Sequence, residues 1–411
     1  MKKLLLYSLV FVIGFYSCDN DDANFETVIV ANAILQTKAE LRDAITVEAP
    51  SPIQTSGKIF VYQDYVFVND QNRGVHVINN EDPTAPQKIA FIKIPGNEDI
   101  EIRNDILYAD SYTDLVLFDI SNINSIERTQ LYEDVFNGFG FAQTSITEPF
   151  DYIEYGNYDP QTQIVTGWTF TQERREVFDD AIFLEDASTV SGTDATGQGG
   201  SLARFKIVDE YLYAVDFTTL YVFNIANQVV ATEVNRQDIG WQIETIFNQG
   251  DYLYMGSASG MFIYEVSNPA LPQYRSSIDH LTGCDPVVVD GDYAFLTLRG
   301  GNTCGQPESI LEVIDVSDRS NPFIVRDYTM QSPYGLGFKE QLLFVSDGDN
   351  GFHIYDKSDP TDLQLIDVIE DINVFDVIPL EERLLAIADN ILYQYHYEED
   401  GLSLLSEYAI N

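Results

Sequence analysis

The chain has 411 residues, with 66 Asp or Glu against 22 Lys or Arg, a formal charge of −44. That balance excludes the basic footprint that nucleic-acid binding requires, while 45% hydrophobic residues with 25 Tyr and 25 Phe exclude a disordered chain. The length allows two or three average domains or one large all-β unit.

Lys2 and Lys3 precede an apolar run from Leu4 to Phe15, then Tyr16, Ser17 and Cys18. The run is too short to span a bilayer, whose core needs about 20 residues, and reads as a secretory signal over residues 1–17. It resembles a bacterial lipoprotein signal, although Phe15 and Tyr16 are larger than usual there; the resemblance implies lipid on Cys18. A plain secretory signal is the alternative. The acidic stretch Asp19–Asp22 resembles the export tags of surface lipoproteins in Bacteroidetes-type bacteria, which implies an outer-membrane, cell-surface protein, with the periplasm as the alternative. Cleavage before Cys18 would leave 20 basic and 66 acidic residues, 20 − 66 = −46. Residues 18–56 read as a lipidated tether with one short helix from Lys38 to Ile45, because Thr37 and Glu40 have capping-box spacing. That helix is expected to cover an opening or a sheet edge.

From Gly57 onward one layout recurs. YVFVNDQNRGVHVINNEDP (from Tyr65), ILYADSYTDLVLFDISN (from Ile106), YLYAVDFTTLYVFNIAN (from Tyr211), YLYMGSASGMFIYEVSNP (from Tyr252) and LLFVSDGDNGFHIYDKSDP (from Leu342) each pair two short aromatic or β-branched runs around a polar turn. A stretched copy starts at Tyr293 and a worn one at Leu384. These are hairpins by period and turn chemistry. The residues closing the second run, Asn79, Asp119, Asn224, Glu265, Asp315, Asp356 and His396, are separated by 40, 105, 41, 50, 41 and 40 positions. With an apolar segment before each hairpin and a weaker strand after it, a period near 41 predicts four antiparallel strands per unit. That pattern marks an all-β fold, a β-propeller of seven blades over residues 57–410, with six or eight blades as alternatives.

The 105-residue interval carries 64 residues beyond one period and predicts an insertion at about 137–200 on the second blade, with Gln161–Phe170 as its ordered strand. Long loops on rigid scaffolds serve recognition. The plain expectation for Trp168, Arg174 and Arg175 is a packed tryptophan and a solvated helix or loop; the alternative is that the three contact a glycan or envelope protein.

The segments LVLFDIS, LYVFNIA, MFIYEVS and LEVIDVS resemble the LVIVD-repeat proteins, secreted bacterial β-propellers. The resemblance implies the fold and carries no catalytic or ligand residue onto these positions.

Beyond Cys18 the cysteines are Cys284, before the fifth hairpin, and Cys304, in its expanded turn. Both belong to one face of an antiparallel meander, and an exported chain makes a disulfide the expectation. The four histidines, His76, His280, His353 and His396, show no metal-ligand spacing, and no nucleophile elbow, phosphate loop or dinucleotide fingerprint occurs. Asp70, Asp216, Asp347 and Asp389 recur where the second strand hands over to the third, with Asp110 one position earlier. The plain expectation is a carboxylate accepting from turn N–H groups. The alternative is Ca2+ at Asp347 and Asp349 in SDGDNG, which lacks the closing Glu of an EF-hand because Ser358 stands there. These features point to non-catalytic binding or scaffolding at the cell envelope, with an extracytoplasmic glycan-cleaving enzyme as the alternative.

Overall fold

The computed structural model describes residues 25–136, 148–176, 203–227, 229–240, 243–257, 260–279, 286–300, 308–398 and 401–410. The signal segment, Cys18, His280, Cys284, Cys304 and most of the insertion lie outside them.

Seven sheets follow one another, each with four consecutive antiparallel strands. Their innermost strands are Ser56–Tyr62, Ile100–Arg103, Phe205–Val208, Ile243–Gln249, Val287–Asp290, Leu336–Lys339 and Val374–Pro379. Each third strand ends at the residue that set the period: Asn79, Asp119, Asn224, Glu265, Asp315 and Asp356. Only the last runs past its marker, His396, to Glu398. The turn chemistry explains the stop. Asn79, Asp119, Asn224, Asp315 and Asp356 each accept a hydrogen bond from the N–H two residues on, at 2.8–3.0 Å. A side chain bonding its own backbone in this way competes with the ladder and turns the chain. The glycine that opens the third strand is also dictated: Gly351 has φ +96°, and a Cβ there would lie 2.7 Å from the Ile369 carbonyl oxygen.

Among the described residues, seven buried apolar clusters lie one at each seam between neighbouring blades. Strand alternation makes this work, since Leu107 and Ala109 pack toward the first blade while Tyr108 and Ile106 pack toward the third. Burial of such side chains contributes roughly 1.5–3 kcal/mol each. The cluster joining Leu385, Ile387 and Leu392 to Ile59, Val66 and Val68 brings the last blade against the first, so the array closes into a ring and is not a linear solenoid. Among the described residues no strand is exchanged between the first and last blades. Closure uses polar side chains instead: Asn80 and Gln394, both buried, exchange amide hydrogen bonds at 3.0 and 2.8 Å, and the Ile59 N–H donates to Asp376 at 2.7 Å.

All seven outermost strands carry a β-bulge, near the start in the first six and at mid-strand in the last. Bulges twist an exposed edge away from further pairing. Among the described residues only the first blade is covered, by a fifth strand Thr46–Glu48.

The region before the propeller differs from a tether. Phe25–Thr37 is a 13-residue strand that pairs antiparallel with Gln163–Glu176 of the insertion, and Tyr152–Glu154 adds in parallel on its other side. The alternating β-branched and apolar residues of FETVIVANAILQT suit a strand, but the partner lies over a hundred positions away. A helix, Lys38–Asp43, follows with Thr37 and Glu40 in a capping box. Leu41 of the helix packs with Tyr112 and Ile164, and Arg42 holds Asp114 through two hydrogen bonds of 2.7 and 2.9 Å. These contacts seat the ribbon and helix on the second blade, on the face that carries the turns between second and third strands.

Candidate functional site

On that face the recurring aspartates are caps. Asp70 Oδ1 accepts from the Gln54 and Thr55 N–H groups at 3.1 and 3.0 Å, and Asp347 Oδ1 from Gln331 and Ser332 at 2.8 and 2.9 Å. Each carboxylate thereby fixes the segment that enters its own blade. The second oxygens are also engaged: Asp70 Oδ2 by Arg73 at 2.5 Å, and Asp347 Oδ2 by the Asn350 amide at 2.9 Å. Asp216 caps its own turn through Thr218 and Thr219 and takes the Tyr221 hydroxyl at 2.5 Å, while Asp389 is an exposed turn residue with φ 48°.

The Ca2+ expectation meets this geometry directly. Asp347 has donors on both oxygens, Asp349 is exposed, and among the described residues no three His, Cys, Asp or Glu side chains converge as metal ligands. A carboxylate saturated by N–H donors is poorly disposed toward a cation. The described histidines are placed structurally. His76 is buried 3.3 Å from Asp70 and stacks on Phe91, with burial lowering its pKa against the pull of Asp70; His353 reaches the Tyr355 hydroxyl and the Asn350 carbonyl; His396 is exposed.

Trp168, Arg174 and Arg175 all lie on the long ribbon strand. Trp168 is half-buried and meets Tyr155 edge-on at 5.6 Å; Arg174 lies over Phe25 at 5.5 Å; Arg175 binds Glu173 at 2.9 Å, Glu154, and the Tyr152 ring. Strand alternation puts Arg174 and Arg175 on opposite faces, and six residues separate Trp168 from Arg174 by about 20 Å. The three side chains therefore do not form one cluster.

Buried charges are concentrated instead around the inner strands of the first three blades. Asp99 joins all three: Oδ1 accepts from Lys58 and the Ile100 N–H, and Oδ2 from the Arg204 and Phe205 N–H groups at 2.6 and 2.8 Å. Burial would lower the pKa of Lys58, but Asp99 and Glu101 outweigh it and the ammonium is held above its usual range. Arg204 is likewise raised, burial being outweighed by Glu98, Asp110 and further carboxylates.

Beside this group, at the seam of the second and third blades, lies a small depression open to solvent, with room only for water-sized groups. Asp110, Tyr112, Arg204 and Asp216 supply its polar wall, and Phe136, Phe205 and Val215 its apolar one. Asp110 is only 7% exposed. Its Oδ1 accepts from the Asn97 amide at 2.8 Å and from the Glu98 and Asp99 N–H groups at 2.9 Å. Its Oδ2 takes no hydrogen bond among the described residues. Burial, reinforced by Glu98, pushes the Asp110 carboxyl up to about 7. Tyr112, also buried, has its ring fixed by Leu41 and Ile164, and burial pushes its phenol up to about 12. Arg204 pairs with Glu98 at the rim. Nothing in the sequence singled out this place: Asp110 occupies a repeat position, and Arg204 comes from 94 positions further on.

The geometry defines a seven-bladed β-propeller whose polar depression lies at a blade seam beside its one large insertion. The LVIVD repeat matches the chain at residues 55–89, 245–279, 284–330 and 338–370, so the first, fourth, fifth and sixth blades carry LVIVD repeats. No curated protein matches the chain. Among solved structures it is similar to the computationally designed Ika8 protein (TM-score 0.52, 9% identity, 88% of this chain and 90% of that one). It is also similar to a protein from Lactobacillus plantarum (0.51, 11%, 78% and 87%) and to BamB from Moraxella catarrhalis (0.50, 10%, 83% and 84%). At such identities the likeness is one of fold.

Proposed function

We propose that this chain is a non-catalytic binding propeller of the cell envelope, tethered to the outer membrane by lipid on Cys18 and presenting the face of its second and third blades to a glycan or envelope protein. The observation that carries the binding part is the depression, where among the described residues Asp110 Oδ2 takes no hydrogen bond beside Tyr112 and the Arg204–Glu98 pair. Convergent polar groups beside apolar side chains are a feature of ligand sites, and the space here admits a water-sized group. Trp168 and Arg174, on one face of the ribbon, are the proposed peripheral contacts; Arg175 is occupied by Glu154 and Glu173. The envelope placement rests on the first 22 residues, and among the described residues no helix is long and apolar enough to cross a membrane.

Cleavage of a glycan is the second reading, favoured by the raised pKa of Asp110 beside a second carboxyl, Asp216, in the same depression. Asp216 weighs against it, because both its oxygens are already held by Thr218, Thr219 and Tyr221. The test is an envelope pull-down with the wild-type chain and with Asp110→Asn, alongside fractionation of Cys18→Ala. Binding lost in the first variant and membrane association lost in the second support the proposal. Unchanged retention in both, or glycan products that require Asp110, would overturn it.

A further inference from the structure

The depression is specific enough to name the chemistry of its partner, and the inference rests on the binding reading above. We propose that it receives a single lysine ammonium of a basic partner protein, seated against Asp110 and Asp216.

Size sets the first limit. The space admits a water-sized group and is open to solvent. An ammonium is that size and arrives on a thin methylene stem, so the charged head can enter while the stem stays outside. A guanidinium is a planar fork of several atoms and cannot enter whole.

Charge sets the second. The groups around Asp110 are Glu98 and Asp99 from the segment entering the second blade, Tyr112 from the turn, and Arg204 and Asp216 from the third blade, with Lys58 and Arg236 beyond them. Arg204 pairs with Glu98, Lys58 with Asp99 and Arg236 with Glu233. Asp110 and Asp216 are left without a salt bridge among the described residues, and the surroundings are net negative. A cation entering there meets unmatched charge.

Hydrogen-bonding capacity points the same way. Asp110 is only 7% exposed, and its donors all reach Oδ1, leaving Oδ2 with none among the described residues. Asp216 accepts from Thr218, Thr219 and Tyr221, three of the about four positions a carboxylate offers. An ammonium brings donors alone, which is what a buried, unsatisfied acceptor requires. A divalent cation needs more oxygen ligands, and among the described residues no three His, Cys, Asp or Glu side chains converge. Asp110 and Asp216 are held in place by their N–H donors before any partner arrives, so little side-chain entropy would be lost on binding. The formal charge of −44 supplies the long-range attraction for a basic partner.

The experiment is calorimetric titration of the full chain at pH 8 with acetyl-Ala-Lys-Ala-amide, with its arginine and Nε-acetyllysine counterparts, and with potassium chloride. At that pH Asp110, pushed up to about 7 by burial and Glu98, is mostly ionised. Sodium chloride at about 150 mM screens general attraction to the acidic surface. The expected result is lysine-peptide binding about fivefold or more tighter than arginine-peptide binding, loss of binding on acetylation, and about tenfold weaker binding of the lysine peptide in Asp110→Asn, which removes the charge-assisted contact. Thermal unfolding checks that the variant is folded, and the peptide comparison in the wild type decides the matter without it. Absence of lysine-peptide binding, equal affinity for lysine and arginine, binding of the acetyllysine peptide, or equal affinity in folded Asp110→Asn would overturn the proposal. Potassium bound in place of the lysine peptide would make the depression a free-ion site and would overturn it too. If an envelope pull-down still depends on Asp110 while the lysine peptide does not bind, the ammonium inference falls and the binding propeller stands. If both fail, both readings fall.

Discussion

Asp110→Asn isolates the energetic consequence of the buried carboxyl. The variant keeps an oxygen for the three donors from Asn97, Glu98 and Asp99 and removes the charge. In the wild type the carboxyl is pushed up from the ordinary aspartate range to about 7, first by burial and then by Glu98. Because the folded state holds the proton more tightly than the unfolded chain, the group's contribution to stability is greatest below pH 4, falls as the pH rises toward 7, and is constant above that. At 1.36 kcal/mol per pH unit of protonation difference, wild type should lose on the order of 2–3 kcal/mol between pH 5 and pH 8 through this residue alone. The variant should not lose it. The assay is urea unfolding of both proteins at pH 5 and pH 8. Any constant cost of exchanging a carboxyl for an amide cancels in the comparison, leaving a relative gain for Asp110→Asn at pH 8 of about 1 M in urea midpoint for an m-value near 3 kcal/mol/M. A wild-type-to-variant gap identical at the two pH values would refute the reasoning, showing that Asp110 ionises in the folded protein as readily as in the unfolded one.

Asp347→Ala strips the acceptor from Gln331 N–H, Ser332 N–H and the Asn350 amide, and should cost about 3–5 kcal/mol in chemical unfolding, equally with calcium or with chelator present; a calcium-dependent difference would restore the cation reading of Asp347 and Asp349. Gln394→Leu leaves the buried Asn80 amide without its partner at the closing seam and should destabilise by about 2–3 kcal/mol, measured as a shift of a single unfolding transition. For Cys284 and Cys304, peptide mapping of exported protein without reduction should recover a linked fragment, and closing a loop of about 20 residues should stabilise by roughly 3 kcal/mol; two free thiols would contradict the pairing.

The repeat was legible because a blade is a local object. Each is a four-stranded antiparallel meander whose ladder hydrogen bonds join neighbours in sequence, so the pattern of apolar runs, Asn or Asp turns and opening glycines returns every 41 residues or so and announces both the propeller and its seven units. Thr37 and Glu40 announced the helix start for the same reason, since capping is a contact across three residues. What the tertiary structure alone decided lies between units. Ala33 meets Trp168 only because a segment before the ring pairs with one inserted into it, and the extension of that insertion strand to Glu176 sends Arg174 and Arg175 to opposite faces although they are adjacent in sequence. Asp70, Asp110 and Asp347 look alike along the chain, each capping the entry to its blade. They differ in what reaches the second oxygen: Arg73 and Asn350, three residues from their aspartates, are local partners, whereas the carboxyl of Asp110 is left open at a seam where Arg204 arrives from the next blade. Ladder bonding and turn chemistry are periodic and short-range, so they leave a mark in one dimension; contacts across seams join single side chains distant in sequence, and only closure of the ring brings them together.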